Sequence, residues 1–480
     1  MAGRLQIDDK LLTIKPDGSN VGTARKMAED IVDAIIEHFS TLRTKDVYSG
    51  LEIKAPLSPS LNWEETVEYL KKVISSSMQV SHPKFFGHMD SGPLFVSMLS
   101  DWVASAMNQN MLNPELSPLA SGIEELLIQW LLELVSFNEG DGALVSGGTV
   151  SNLTAVLLAL HHVTKGRFRQ EGVSSLPKKP VIFASDQAHY SVSKVASSTG
   201  LGEQSLVEIP SDSHFRMKTG ILEQEILNAE LAGKLPLMVV ATAGTTSTGS
   251  VDPIAEISVI CQKHNLWLHV DAAHGGGALF SHSKKDLLYG IERADSVTID
   301  PHKWLMQPKS MGVILTRYNG MLESLFGHKA PYLTEKSSEH VTDWGNKGLQ
   351  GSRRFDALRF WITKLYLGDD GLSKLIEKGF ENVSKWDSML REKENFEIAH
   401  RSDLNILCFR YRPENMDENE ADLLNDSIQR ELMKSGKGYL SSTTLRNHRW
   451  LRSVFLNPTI TVDDMIEVLE EVDDLGDALK

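Results

Sequence analysis

Hydrophobic and polar positions change their spacing near residue 90 and again after residue 370. In the first stretch, Met27, Ile31, Ala34, Ile35 and His38 recur at helical spacing, which predicts a helix over 24–39. Pro56 and Pro59 mark a loop before a second helix over 63–74, with Asn62 placed to cap it. These two stripes have little of their own to bury against, so residues 1–80 read as an arm that packs on something else. From 90 onward, short apolar runs at 181–184, 237–241, 266–270, 296–299 and 312–315 alternate with helical patterns such as 254–264. That alternation predicts a mostly parallel sheet covered on both faces, with ligands gathered at the carboxyl ends of its strands. A long helix is expected near 355–367. Beyond it, strands at 404–411 and 450–456 and helices at 421–433 and 462–475 predict a smaller α+β unit. In the last helix Met465, Leu469 and Val472 share one face, as an ordinary amphipathic helix requires. The expected division is an arm at 1–80, a large α/β domain at 81–370 and a small domain at 371–480.

Composition narrows the partners rather than the fold. The chain has 480 residues, 41% hydrophobic and 24% charged, with a net charge of −15. Such an acidic balance argues against nucleic acid or an anionic membrane as partner. The first ten residues lack the apolar core of a signal peptide, and the most apolar stretch, 126–137, is short and broken by Gln129 and Glu133. Cys261 and Cys408 stand far apart without a metal-ligand spacing, so both are expected as buried thiols of a cytoplasmic protein.

Candidate chemistry lies at the predicted strand ends. Val145-Ser-Gly-Gly-Thr149 runs straight into an apolar helix, a turn whose open backbone and helix N-terminus suit a phosphate, with Gly148 and Thr149 at its centre. His189 follows one strand, Thr246 another, Asp271 a third, and His302-Lys303 a fourth. Singly, each also reads as a turn, a cap or a structural residue. As an ordered set they point to pyridoxal phosphate, which needs a lysine to form an imine and a carboxylate to keep its ring nitrogen protonated.

The segments Ala243-Gly-Thr-Thr246, Asn265-Leu-Trp-Leu-His-Val-Asp-Ala-Ala273, Gly290-Ile-Glu-Arg-Ala-Asp-Ser296 and Pro301-His-Lys303 resemble the pyridoxal-phosphate-dependent amino-acid decarboxylases acting on aromatic amino acids, glutamate, cysteine sulfinate or diaminobutyrate. The resemblance covers roughly residues 80–460. It implies a fold-type-I enzyme with a seven-stranded, mostly parallel sheet, working as an interlocked homodimer with a swapped N-terminal arm. It further implies that Lys303 carries the cofactor, Asp271 meets the pyridinium nitrogen, and Ala273 and His189 cover opposite ring faces. Gly148, Thr149 and His302 would hold the phosphate, and Thr246 would sit near the ring.

His82-Pro-Lys-Phe-Phe86 matches the family's substrate-entry motif, and Tyr332, in Ala330-Pro-Tyr-Leu333, matches the tyrosine of a mobile loop that protonates Cα. Arg452 matches an arginine that approaches substrate or lid in relatives, and a structural ion pair is its equal alternative. Two departures stand out: Asp300 replaces the asparagine frequent before Pro-His-Lys, and Gly87-His-Met-Asp-Ser91 replaces an aromatic run. His88, Asp90 and Ser91 make the entry polar and favour an acidic or polar amino-acid substrate over an aromatic one. An aldehyde-forming or transaminating enzyme on the same cofactor is the rival. Retention of both His189 and Tyr332 favours plain decarboxylation. A silent scaffold that keeps the fold is disfavoured by intact Lys303, Asp271 and Tyr332.

Overall fold

The computed structural model describes residues 19–48, 61–328 and 342–480. Helices α1 (Val21–Ser40) and α2 (Trp63–Ser76) lie against each other, joined by a hydrogen bond from Trp63 Nε1 to Asp30 Oδ2 at 2.8 Å. Asn62 caps α2 as its sequence position suggests, and Glu65 closes the reciprocal bond to the Asn62 backbone. Ala34 in α1 and Val67 in α2 are buried, while Ile36, Phe39, Leu70 and Val73 remain exposed. The arm thus presents apolar surface that its own pairing does not cover.

Strand β1 (Phe85–Phe86) follows, then helices α3 (Phe95–Met107) and α4 (Pro118–Leu134), strand β2 (Asp141–Val145) and helix α5 (Gly148–Val163). The remaining strands of the middle region are β3 (Pro180–Ser185), β4 (Leu206–Ile209), β5 (Leu235–Thr242), β6 (Trp267–Asp271), β7 (Ser296–Ile299) and β8 (Gly312–Thr316). They form a seven-stranded sheet in the order β2-β8-β7-β6-β5-β3-β4. Only β8 runs against the others, pairing antiparallel with both β2 and β7. Every residue of β3, β6, β7 and β8 is buried. This explains why they read as mostly apolar runs, with His269, Ser296 and Thr298 as buried polar exceptions: helices cover both faces.

The second sheet contains β9 (Phe396–Ile398), β10 (Ile406–Tyr411), β11 (Tyr439–Leu445) and β12 (His448–Val454), in the order β1-β11-β12-β10-β9. Helices Glu418–Ser435 and Val462–Leu479 belong to this half, and Met465, Leu469 and Val472 are buried as their common face requires. The long helix expected near 355–367 runs from Ala357 to Arg391, with one non-helical residue, Gly368, at φ 65°. That conformation is cheap for glycine, so the helix breaks and restarts. Up to Ile376 its buried apolar residues join the core of the large sheet, and from Val383 to Leu390 they join the core of the second sheet. One helix therefore spans the boundary placed at 370. Phe85 and Phe86, expected within the large domain, pair in parallel with Tyr439 and Leu440 and so extend the second sheet.

Candidate active site

At the carboxyl ends of β3, β5, β6 and β7 lies a cavity of about 310 Å³, enough for one small ligand. Gly148, Thr149, His189, Thr246, Asp271, Ala273, His302 and Lys303 all line it. Eight positions scattered over 155 residues of sequence converge because parallel strands present their C-terminal ends on one edge.

Asp271 ends β6 fully inside the protein. Its Oδ2 accepts a bond from Asn152 Nδ2 at 2.8 Å and its Oδ1 accepts the Ala273 amide at 3.1 Å. Strand alternation puts His269 on the same face, two residues back. His269 Nε2 meets Asn152 Oδ1 at 3.0 Å and its Nδ1 meets Ser296 Oγ at 2.8 Å. Burial lowers this imidazole to about 4, against the pull of Asp271, so it is neutral near pH 7. Asn152 is thereby fixed, and it fixes Asp271 in turn. The sequence reading missed both partners. Their signal was spacing alone: Asn152 one helical turn beyond Gly148, and His269 in phase with Asp271.

Lys303 follows β7, its Nζ 3.5 Å from Asp300 Oδ2. The neighbouring His302 places Nδ1 against the Met311 backbone and Nε2 3.9 Å from the same Asp300 oxygen. His189, after β3, is held by Ser191 Oγ at 2.8 Å. Burial lowers its imidazole, with Asp271 opposing and Lys303 adding to the effect. His274, another residue not foreseen, lines the cavity stacked on Trp304, ring centroids 5.2 Å apart, and contacts Asn405 Oδ1 at 2.7 Å. Burial drives it down to about 3.

The glycine turn before α5 disfavours side chains, by backbone conformation at Gly147 and by space at Gly148. Gly147 sits at φ +144°, and a Cβ on Gly148 would lie 2.9 Å from Asp300 Oδ2. Open backbone at a helix N-terminus beside a histidine and a lysine is a donor set suited to a phosphate, and Asp271 is an acceptor suited to a protonated ring nitrogen. Thr242 Oγ1, buried in the lining without a partner, leaves a further polar atom for a ligand.

The four residues expected at the substrate entry do not line this cavity. Phe86 is fully buried in the core of the second sheet, against Trp386 and Phe455 at centroid distances of 5.6 and 5.2 Å. Period-two alternation turns it into that core once β1 pairs with β11. His82 is buried too, accepting the Lys84 amide at Nδ1, and borders a separate outer cleft with Arg43 and Glu467. His88 is exposed, with Nε2 3.2 Å from the Tyr439 hydroxyl. Arg452, on β12, is buried. Its Nε donates to Ser247 O at 3.1 Å and its Nη1 to Ser441 Oγ at 3.0 Å, while Nη2 has no hydrogen-bond partner. Among the described residues it forms no ion pair, and burial lowers it to about 10. The structural ion pair considered for it is absent there. Its charge nevertheless reaches both His88 and His274, lowering each. Tyr332 lies outside the described residues.

Lysine, buried aspartate and glycine turn together have the donor set of an enzyme built around an aldehyde cofactor that carries a phosphate. The pattern of the pyridoxal-dependent decarboxylase conserved domain matches residues 46–412. The acidic amino acid decarboxylase GADL1 of Mus musculus is 33% identical over 425 residues, covering 86% of this chain and 77% of that one. The aromatic-L-amino-acid decarboxylase of Bacillus atrophaeus is 29% identical over 94% of this chain and 95% of its own. The crystal structure of mouse CSAD in apo form superposes with a TM-score of 0.89 at 28% identity, over 95% of this chain and 99% of that one. The chain belongs to the pyridoxal-dependent decarboxylase family, and it is an amino-acid decarboxylase that uses pyridoxal phosphate.

Proposed function

We propose that the chain decarboxylates an acidic or polar L-amino acid to its amine, with Lys303 and Asp271 as the central pair. The convergence of these two residues with the glycine turn in one cavity carries this reading. Bound there, pyridoxal phosphate supplies a sink for the electron pair released when the Cα–carboxylate bond breaks. Lys303 would provide the amine that anchors it. Asp271, braced by Asn152, holds the proton on the ring nitrogen. Gly148, Thr149 and His302 would hold the cofactor's phosphate, and Thr246, Ala273 and His189 would hold its ring. Tyr332 is proposed from the sequence resemblance as the donor of the proton to Cα.

Substrate choice rests on Arg452. A buried guanidinium with a free Nη2 and no carboxylate partner is costly unless an anion completes it. Arg452 and the exposed His88 stand outside the cavity lining, so an anionic side chain that extends from the cavity toward the second sheet is what would complete the guanidinium, in line with the name of the Mus musculus relative. An amino-acid panel with CO2, amine, peroxide and ammonia measured together tests both points. Equimolar CO2 and amine from an acidic substrate is the expected result, and stoichiometric peroxide would overturn it in favour of aldehyde formation.

The working unit is a homodimer. On α3, Phe95, Leu99, Val103 and Met107 recur every fourth residue and are all exposed, Met107 at 58%. That stripe, with the uncovered apolar face of the arm, suits a second copy of the chain. Sedimentation of the native protein and of Val103→Lys tests this, the variant shifting to monomer. Two free, buried thiols and the lack of any described helix long and apolar enough to cross a membrane suit a cytoplasmic setting.

A further inference from the structure

Asp300 is buried to 4% exposure beneath the glycine turn at the start of α5. The Gly148 amide donates to its carboxylate, and its Oδ1 has no hydrogen-bond partner. A Cβ on Gly312 would lie 2.8 Å from that oxygen, so strand β8 closes the far side. One anion thus already occupies the helix terminus that the cofactor phosphate needs. We propose that Asp300 carries a proton when the phosphate is seated, so that cofactor capture draws a proton from solvent and weakens as pH rises. This rests on the pyridoxal phosphate reading of the cavity.

The charges facing Asp300 are Lys303 and His302 from its own turn, Asp271 from β6, and the positive end of α5. Lys303 and His302 favour the carboxylate. Burial and Asp271 favour the acid, and the net effect raises this carboxyl above the ordinary aspartate range. A phosphate dianion adds like charge at the same terminus and shifts the balance further. Protonation at Oδ2, the oxygen on the side of Gly148, His302 and Lys303, turns an acceptor into a donor for a phosphate oxygen, while Oδ1 stays enclosed against Gly312. The sign follows: binding raises the carboxyl's pKa, so affinity is full below the free-protein value. Above it, affinity falls about tenfold per pH unit until the bound-state value is reached.

Pyridoxamine 5′-phosphate has an amine in place of the aldehyde and cannot link to Lys303, so it isolates this step. Titrating it calorimetrically into the apoprotein, in buffers of different ionisation enthalpy, reads protons taken up per ligand bound. The working range is about pH 7 to 8.5, above the second phosphate ionisation near ~6. The expected result is uptake approaching one proton and a Kd rising up to about tenfold per pH unit. With Asp300→Asn the Kd should be flatter and the uptake lower by the Asp300 proton, leaving only what the ring nitrogen draws at Asp271. Phosphate-free pyridoxamine should show only that same ring-nitrogen uptake with the unaltered protein, which covers the case of a variant that fails to fold. Binding without proton uptake, or equal uptake in both proteins, would overturn the role of Asp300 alone. No binding of the phosphorylated ligand would overturn the cofactor reading with it.

Discussion

The cofactor cavity and the group of residues beside it on the second sheet are assembled by different rules. On the first, each side chain sits at the end of a strand in one parallel sheet, and the sheet's own pairing sets their separation: Thr242 opposite Asp271, Asp271 opposite Thr298. On the second, His88, Arg452 and Tyr439 come from β11, β12 and the segment after β1. Their position relative to Lys303 depends on how two cores pack along the helix Ala357–Arg391. A strand end is a local property of sequence. A packing relation between two cores is not.

The largest effect is expected where the cofactor side depends on one atom. Lys303→Ala should cost on the order of 10⁴-fold or more in turnover, as removal of a covalent catalyst does, and should abolish the imine absorbance of the purified protein. Near-native turnover by that variant would remove the basis for treating this side as the chemical one. Asp271→Asn is the next test. It keeps the shape and the contact to Asn152 but loses the negative charge proposed to hold the ring proton, so kcat should fall by roughly 10²–10³-fold with cofactor still bound. A fall in cofactor affinity alone, with kcat unchanged, would make Asp271 a structural residue.

The other side is tested by Arg452→Gln. If Nη2 meets an anionic side chain, loss of this charge-assisted bond should raise KM by about 10- to 100-fold for an acidic substrate, leaving a neutral polar substrate little changed. Equal loss for both would mean that Arg452 only supports Ser247 and Ser441.

What the sequence revealed follows the same division. Strands β3, β5, β6, β7 and β8 and the polar residues at their ends were legible because strands buried on both faces are apolar at most positions and stop at a polar group. β4 and β11 were not, since β4 has an exposed Glu208 and β11 runs Ser441-Ser-Thr-Thr444, with little apolar contrast. Gly368 hid the second half of the long helix by breaking its period. Asn152 and His269 escaped because their importance is a contact across 117 residues. On the other side, the motif around His82 and Phe86 was visible, but its strand pairing was not, and the pairing decides which way each side chain faces.

The smallest expected effect separates motif from role. Phe86 is a member of the entry motif by sequence and a core residue by position, with no exposed surface. Phe86→Leu keeps the volume nearly constant, so it should cost about 1 kcal/mol of stability or a little more, read as a lower denaturant midpoint at unchanged slope. Because the ring packs on Trp386 and Phe455, and not on the cavity, kcat/KM at saturating cofactor should stay within about twofold of the parent. Should kcat/KM instead fall tenfold while the midpoint holds, the two sides of the site would be coupled through β1. The second sheet would then be part of the chemistry as well as its wall.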